Sequence, residues 1–400
     1  MIITIISLIL IVASLVMLVY SYFIMIKNSN YPIKNKKTDK YCILIPARNE
    51  SKVIEDLLIS IENQTFKINP NDVYVIVENK EDKTVEITNK HKMNIIYRKD
   101  LTKKRKGYAL DEAIKEILKQ NKKYEAYFIF DADNILDKEY IKEMTKSIKE
   151  GYDIGISYRN TKNGDNLVSG ASALTFSMIN TIGNTLKNKY TNNLTISGTG
   201  YYIRGYLIEK WKGFPFNSLT EDYELTLYST LNNLTTTYNE EAIFYDEQPE
   251  DFKVSIIQRT RWVKGYFEAR KKYIKKIRKS LNKNDINYGS KVNVIIGVRP
   301  YIYLIIGIIL LLMSAITNNN EITTLKTFII ILLTIYIELA IISYIMIKKE
   351  RGKLNLKVSK TKLILYNPIF LLSYVVCLII SIFKRDLGWQ EVKHSKTLNK

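Results

Sequence analysis

The chain opens with an unbroken apolar run, residues 2–26, that holds no charged side chain. At about 1.5 Å per residue such a run crosses a hydrocarbon layer of about 30 Å. It lacks the basic start and small-residue cleavage site of a secretory signal, so residues 1–27 are expected to be a retained membrane anchor. Three more apolar stretches come late: residues 292–317, interrupted by Arg299-Pro300, residues 327–347, and residues 363–383, which carry Asn367-Pro368. Their lengths fit a membrane bundle, residues 292–383, better than core helices of a soluble protein. Between them, residues 28–291 change rhythm. Short apolar runs, YCILIP, VYVIV, NIIY and YFIF, alternate with helical patterns at residues 52–63, 82–90 and 106–120. Strand and helix in alternation predict a mostly parallel α/β sheet, and ligands of such sheets sit beyond the carboxyl ends of the strands. Residues 254–281 are apolar on one side and basic on the other, the pattern of a helix lying in the membrane interface. Residues 167–186 are expected to form a second such helix.

Charge gives the spans a direction. Sixty Lys+Arg against 40 Asp+Glu leave a formal +20 over 400 residues. Lys27, Lys34, Lys36, Lys37 and Lys40 follow the first run, six basic residues between Lys271 and Lys279 precede the second, and Lys348, Lys349 and Arg351 follow the third. Basic flanks stay on the cytoplasmic side, which predicts an outside N-terminus and a cytoplasmic region 28–291 in a multi-pass protein of the cell membrane. The same count sends the tail, residues 384–400, outside, although it carries Lys384, Arg385, Lys393, Lys396 and Lys400. Either the tail is an exception or one stretch does not cross. The basic excess clusters beside the apolar runs, so the expected partner is a lipid bilayer and not nucleic acid.

Two histidines and two cysteines exclude three-histidine metal sites, zinc-finger spacings and a disulfide framework. No GxxxxGK[ST] loop and no complete GxGxxG motif occurs, which disfavours a mononucleotide kinase or a dinucleotide oxidoreductase. Carboxylates must therefore carry any chemistry. VYVIV ends in Glu78, with Asp82 shortly after, and YFIF leads into Asp131-Ala132-Asp133-Asn134. Two aspartates one residue apart at a strand end can offer oxygens to one hard cation, and Mg2+ completes its shell with substrate phosphates. Taken alone, that motif is better read as an Asx-rich turn or helix cap before the next helix.

Seven motifs stand in order: PARNE at 46–50, ENKEDKT at 78–84, RKGYALD at 105–111, FDADN at 130–134, SGTG at 197–200, LTEDYEL at 219–225 and QRTRW at 258–262. With spans on both sides, the chain resembles the membrane-bound family 2 glycosyltransferases, the group of cellulose, chitin, hyaluronan and poly-N-acetylglucosamine synthases and ceramide glucosyltransferases. The resemblance implies a GT-A-like fold and a Mg2+- or Mn2+-dependent transfer from a UDP-sugar. Glu78 and Asp82 would meet the uracil and ribose, Lys106 the diphosphate, Asp131 the nucleotide and Asp133 the metal. The family's usual aspartate is Glu78 here, which leaves base selectivity open.

Asp222 in TED is the candidate general base that takes the proton of an attacking acceptor hydroxyl, so that a single displacement inverts the anomeric carbon. Standing alone, TED would be a helix start. The resemblance places Glu221, Gln258, Arg261 and Trp262 at the acceptor and diphosphate, with the tryptophan stacking on a sugar ring. Glu338, inside the third stretch, is an intramembrane carboxylate without an assigned role. The expected product is a β-linked polysaccharide or oligosaccharide, with transfer of one sugar to a membrane lipid as the rival. A catalytically inert membrane scaffold is a third reading, and it requires the whole acidic set to be idle.

Overall fold

A computed structural model describes residues 2–25, 39–190, 193–317 and 321–384. Most of the basic segment between the first run and the sheet, and the tail from residue 385, lie outside the described residues. The centre is one eight-stranded sheet: β1 Tyr41–Pro46, β2 Val73–Val77, β3 Asn94–Tyr97, β4 Ala126–Ile129, β5 Ile135–Leu136, β6 Ile154–Thr161, β7 Tyr201–Arg204 and β8 Thr236–Asp246. Their order is β3-β2-β1-β4-β7-β6-β8-β5. The first four strands run parallel, and β6 and β8 are also parallel, whereas β7 lies antiparallel between β4 and β6.

The parallel half follows from the sequence because its strands are buried on both faces, which makes them read as continuous apolar runs. Alternate residues serve opposite faces. Cys42, Leu44, Tyr74, Ile76, Tyr127 and Ile129 pack against the helix Lys106–Lys119 through Leu110, Ile114 and Ile117. Tyr41, Ile43, Ile45, Val73, Val75 and Phe128 meet the helices Ile54–Glu62 and Tyr140–Lys149. Removing a buried side chain of this kind, as in Ile114→Ala, costs roughly 2–5 kcal/mol.

The other half was not read from the sequence. β6, β7 and β8 contain Gly155, Arg159, Arg204 and Asn239, and polar residues break their pattern. Their ion pairs are internal: Arg204 meets Glu125, and Arg159 meets Asp246. SGTG, which no obvious element framed, is the loop leading into β7. Where two interfacial helices are expected, helices form over Leu167–Met178, continued by a π-helical segment Ile179–Thr185, and over Phe252–Lys279.

Among the described residues, four helices are long and apolar enough to cross a membrane: Ile2–Ile24, Tyr288–Ser314, Phe328–Lys349 and Lys360–Phe383. The second bends at Gly297, whose φ of 55° separates Tyr288–Ile296 from Arg299–Thr317. The first lies along it, with Ser7 donating to the Gly307 carbonyl at 2.7 Å. Glu338 is exposed on its helix.

Candidate functional site

The carboxyl ends of β1, β2 and β4 bring Pro46, Glu78 and Asp131 to one edge of the sheet, as the winding of a parallel sheet requires. A cavity of about 640 Å3 opens there, lined by Glu78, Lys106, Asp131, Asp133, Gln258 and Arg261 among others. A second cavity of about 1100 Å3 adjoins it and holds Glu221, Asp222, Trp262, Lys264 and Ser381. The two meet at Lys104, Arg105, Lys106, Asp131, Gln258 and Arg261, which line both. The strand edge supplies much of the first cavity, and the start of the helix Glu221–Leu231 and the middle of the helix Phe252–Lys279 supply much of the second.

Lys106 is the hub. As the first residue of its helix, it donates from Nζ to Asp131 Oδ1 at 2.5 Å and to the Gly198 carbonyl at 2.8 Å, with Glu221 at 3.8 Å. Burial works to lower its pKa, but Asp131 and Glu221 outweigh burial and hold it above the ordinary lysine value. Gly107 is required beside it, because a Cβ there would stand 1.9 Å from the Phe216 carbonyl oxygen. Gly198 has φ +85°, and a Cβ on it would face Asp222 Oδ2 at 3.7 Å. SGTG therefore lets the backbone pass close to the carboxylates.

The DADN turn is held from several sides. The Asp131 amide donates to Thr199 Oγ1 at 2.8 Å and Asn134 Oδ1 at 3.1 Å, and Thr199 and Asn134 pair at 2.5 Å. Lys162, from the end of β6, donates to the Asp133 carbonyl at 2.9 Å. Asp131 and Asp133 thus face one cavity from one fixed turn. No group of three or more His, Cys, Asp or Glu able to hold a metal occurs among the described residues. The pair nevertheless fits a hard cation that takes only one or two protein carboxylates and gains its other oxygens from a bound diphosphate.

Glu221 and Asp222 start the helix Glu221–Leu231. Burial raises the Glu221 carboxyl to about 7, against the pull of Lys106 and with a further push from Asp222. Burial also raises Asp222, although the Tyr223 amide and Lys106 favour its charged form. A buried carboxylate whose pKa is raised above its ordinary range is suited to accept a proton.

On the helix Phe252–Lys279, Gln258, Arg261 and Trp262 all reach the second cavity. Gln258 Oε1 and Arg261 Nε are buried there without a hydrogen-bond partner among the described residues. Desolvated polar atoms facing a cavity are the groups a ligand would satisfy. Trp262 is held edge-on by Phe176 with centroids 5.7 Å apart, and Phe176 carries the Arg159 guanidinium at 3.6 Å. Arg159 in turn pairs with Asp246.

Asp82 stands apart from the other expected site residues. It is absent from the lining of both cavities, and its two oxygens accept from the amides of Asn49 and Thr84, each at 2.9 Å. It thereby fixes the PARNE loop, where Asn49 adopts φ 59°. Glu78 does line the cavity, but with Arg48 at 3.0 Å and Arg98 at 4.0 Å it faces two guanidinium groups. Sequence reasoning missed Arg48, Arg98 and Arg159. The arginine in PARNE was the one available signal for them.

Residues 39–265 match the family model described as glycosyltransferase-like family 2. A probable glycosyltransferase, YdaM of Bacillus subtilis strain 168, is 26% identical over 243 residues, 58% of this chain and 56% of that protein. The match thus spans little more than half of the relative's length. Among solved structures, the Pyrobaculum calidifontis mannosyltransferase PcManGT, in complex with GDP-Man and Mn2+, superposes with a TM-score of 0.61 at 13% identity, covering 96% of this chain and 100% of that one. That likeness gives the fold. Staphylococcus aureus TarS 1–349 with UDP-GlcNAc is similar at a TM-score of 0.45 and 17% identity, over 84% of this chain and 92% of that one. With more than half of its length matched by the family model, on a GT-A-like sheet whose strand edge carries the paired aspartates, this chain belongs to the family 2 glycosyltransferases.

Proposed function

We propose that the protein moves a sugar from a UDP-sugar, with inversion, onto a β-linked polysaccharide or oligosaccharide at the cytoplasmic face of the cell membrane. The observation that carries this reading is the junction of the two cavities, where Lys106, Asp131, Gln258 and Arg261 line both. The strand-edge cavity is the donor side. Glu78 lies where the base and ribose enter, Asp82 orders the loop beside it, Asp131 meets the nucleotide, and Asp133 would hold the cation, Mg2+ or Mn2+. When bound, that cation offsets charge on the departing diphosphate. Lys106 and Arg261 add positive charge at the junction, Lys106 as a point charge and Arg261 as a planar fork.

The helix-side cavity is the acceptor side. Asp222 takes the proton from the attacking hydroxyl, and burial keeps its carboxylate basic enough to do so. Trp262 offers a flat apolar face to the C–H face of a sugar ring, and Gln258 offers an unpaired buried oxygen to its hydroxyls. Four apolar helices of spanning length and the basic flanks support a multi-pass membrane placement with the sheet on the cytoplasmic side. On this reading the anchor is residues 1–27, the transferase unit is residues 28–291 and the apolar bundle is residues 292–383.

Transfer of one sugar to a membrane lipid is the second reading. Ser381, from the last apolar helix, lines the acceptor cavity and brings the site beside lipid-facing surface. Sizing the labelled product that purified enzyme makes from a panel of UDP-sugars with Mn2+ tests both. A ladder of rising length supports the polymer, a single glycolipid spot replaces it with the second reading, and no UDP release from any donor removes both.

A further inference from the structure

The last apolar stretch differs from the other three. In those, 11%, 11% and 6% of the most apolar window is buried against protein, whereas in Lys360–Phe383 the share is 28%. Its entry is tied to the sheet domain, since Asn355 donates its amide to Asn160 Oδ1 at 2.9 Å and Val358 donates to the Gly164 carbonyl at 3.1 Å. Its exit is tied there too. Ser381 lines the cavity that contains Asp222 and Trp262, and Lys264, which lines the same cavity, donates from Nζ to the Lys384 carbonyl at 2.5 Å. A helix that crosses would leave its far end about 30 Å away along the membrane normal, out of reach of such contacts.

The stretch is also broken. Pro368 sits inside Lys360–Leu372, and Ser373 separates that piece from Tyr374–Phe383. At about 1.5 Å per residue the pieces of 13 and 10 residues measure roughly 20 and 15 Å, so neither spans a bilayer alone. The first piece packs on the third apolar helix, with Asn367 donating to Ser343 Oγ at 2.8 Å. The second leaves that partner for the helix Phe252–Lys279. Arg259 of that helix marks the changeover, donating to the Phe370 carbonyl at 2.9 Å and Ser373 Oγ at 2.8 Å, with its guanidinium over the Phe370 ring at 3.9 Å.

We infer that Lys360–Phe383 is re-entrant: it dips into the bilayer and returns to the face it came from, and Tyr374–Phe383 forms the lipid-side wall of the acceptor cavity. The chain then crosses three times, and Lys384 stays on the same side as the basic flanks at Lys271–Lys279 and Lys348–Lys349. That removes the conflict between span count and charge.

The inference rests on the membrane placement and the acceptor reading proposed above, and the experiment separates them. Full-length protein in sealed vesicles is treated with a membrane-impermeant maleimide. The wild type is the blank because Cys42 and Cys377 are buried. Lys119→Cys, on an exposed helix position of the sheet domain, reports that domain's side, and Lys384→Cys reports the end of the stretch. Both are expected to react in vesicles of one orientation and to be protected in the other. Reaction of K384C from the side opposite K119C overturns the inference while leaving the transferase reading intact. Protein found only in the soluble fraction overturns the membrane placement and this inference together. As a second readout, a phosphatase fused after the last residue is expected to be inactive when the same fusion with a fluorescent protein is bright, and an active phosphatase overturns the re-entrant path. For the wall, Ser381→Trp is expected to raise the acceptor KM at least fivefold. An unaltered acceptor KM overturns that part.

Discussion

The two cavities, proposed here as donor and acceptor sides, share Lys106, Asp131, Gln258 and Arg261, yet they are assembled from different material. The donor side is a strand edge, where three neighbouring parallel strands deliver Pro46, Glu78 and Asp131 by the geometry of the sheet itself. Its polar groups are pinned within the domain, Asp131 to Thr199 and Glu78 to Arg48, and Asp82, outside the lining, holds the amides of Asn49 and Thr84. The acceptor side is made where the helices Glu221–Leu231, Phe252–Lys279 and Tyr374–Phe383 pack together. At the junction that both cavities share, Gln258 Oε1 and Arg261 Nε have no hydrogen-bond partner among the described residues. The contrast separates tasks physically. A nucleotide diphosphate is much the same from donor to donor and suits a rigid edge, whereas acceptors differ and a cavity between helices can vary without disturbing the sheet.

Substitutions should therefore split by side. The largest effect is expected at Asp222, where Asp222→Asn lowers kcat by about 10²–10⁴-fold because general-base assistance is lost. UDP binding with Mn2+, followed by calorimetry, is expected to stay within about twofold of wild type, and a comparable loss of UDP affinity would erase the division between the cavities. Asp133→Ala should do the reverse, abolishing the thermal shift given by UDP with Mn2+ and lowering activity by about 10²-fold or more, since a bound cation supplies several kcal/mol. A variant that kept its metal-dependent shift would move the cation away from the DADN turn.

The pH profile comes next in size. Burial raises both Glu221, to about 7, and Asp222, the base, above the ordinary aspartate range. The expected kcat/KM declines as pH falls and Asp222 takes up its proton, a decline that begins at higher pH than for an ordinary aspartate and approaches tenfold per pH unit. A profile flat from pH 5 to 8 would remove the base role from this pair. Trp262→Ala should raise the acceptor KM by roughly three- to tenfold, in line with about 0.5–1.5 kcal/mol for an aromatic platform, and leave the donor KM unchanged.

The smallest effect expected is on stability. Glu221 has a folded pKa above its ordinary value, so the folded state binds its proton more tightly than the unfolded chain does. The native fold is penalised once that proton leaves, as pH rises from the ordinary glutamate range through about 7. Glu221→Gln removes a charge that is costly only above that window. Its melting temperature should exceed wild type at pH 8, by about 2–4 °C per kcal/mol recovered, and match it near pH 4. Equal melting at both pH values would show that Lys106 fully compensates the buried charge.

Much of the donor side was legible in the sequence because the information there is local. YCILIP, VYVIV and NIIY form strands as their unbroken apolar character requires, and the acidic residues that follow lie at strand ends for the same reason. Asp82 shows the limit of that logic. Its position after β2 resembles that of a ligand-facing carboxylate, but its side chain turns to the PARNE loop, and sequence distance says nothing of where two oxygens point. The second half of the sheet was not legible. β6, β7 and β8 owe their burial to pairing with one another and to the Arg159–Asp246 and Arg204–Glu125 contacts, which join residues 87 and 79 positions apart.

By itself the sequence determined the four apolar stretches, the alternation that builds a parallel sheet and the order of the motifs, because periodicity and local propensity act over a few residues. The tertiary structure alone decided that Lys106 joins the two cavities, that Arg159 and Phe176 hold Trp262, and that the last apolar stretch ends beside Asp222. Those outcomes depend on which faces meet after packing. A hydropathy pattern records how apolar a helix is, but not which neighbour covers it or on which side its end emerges.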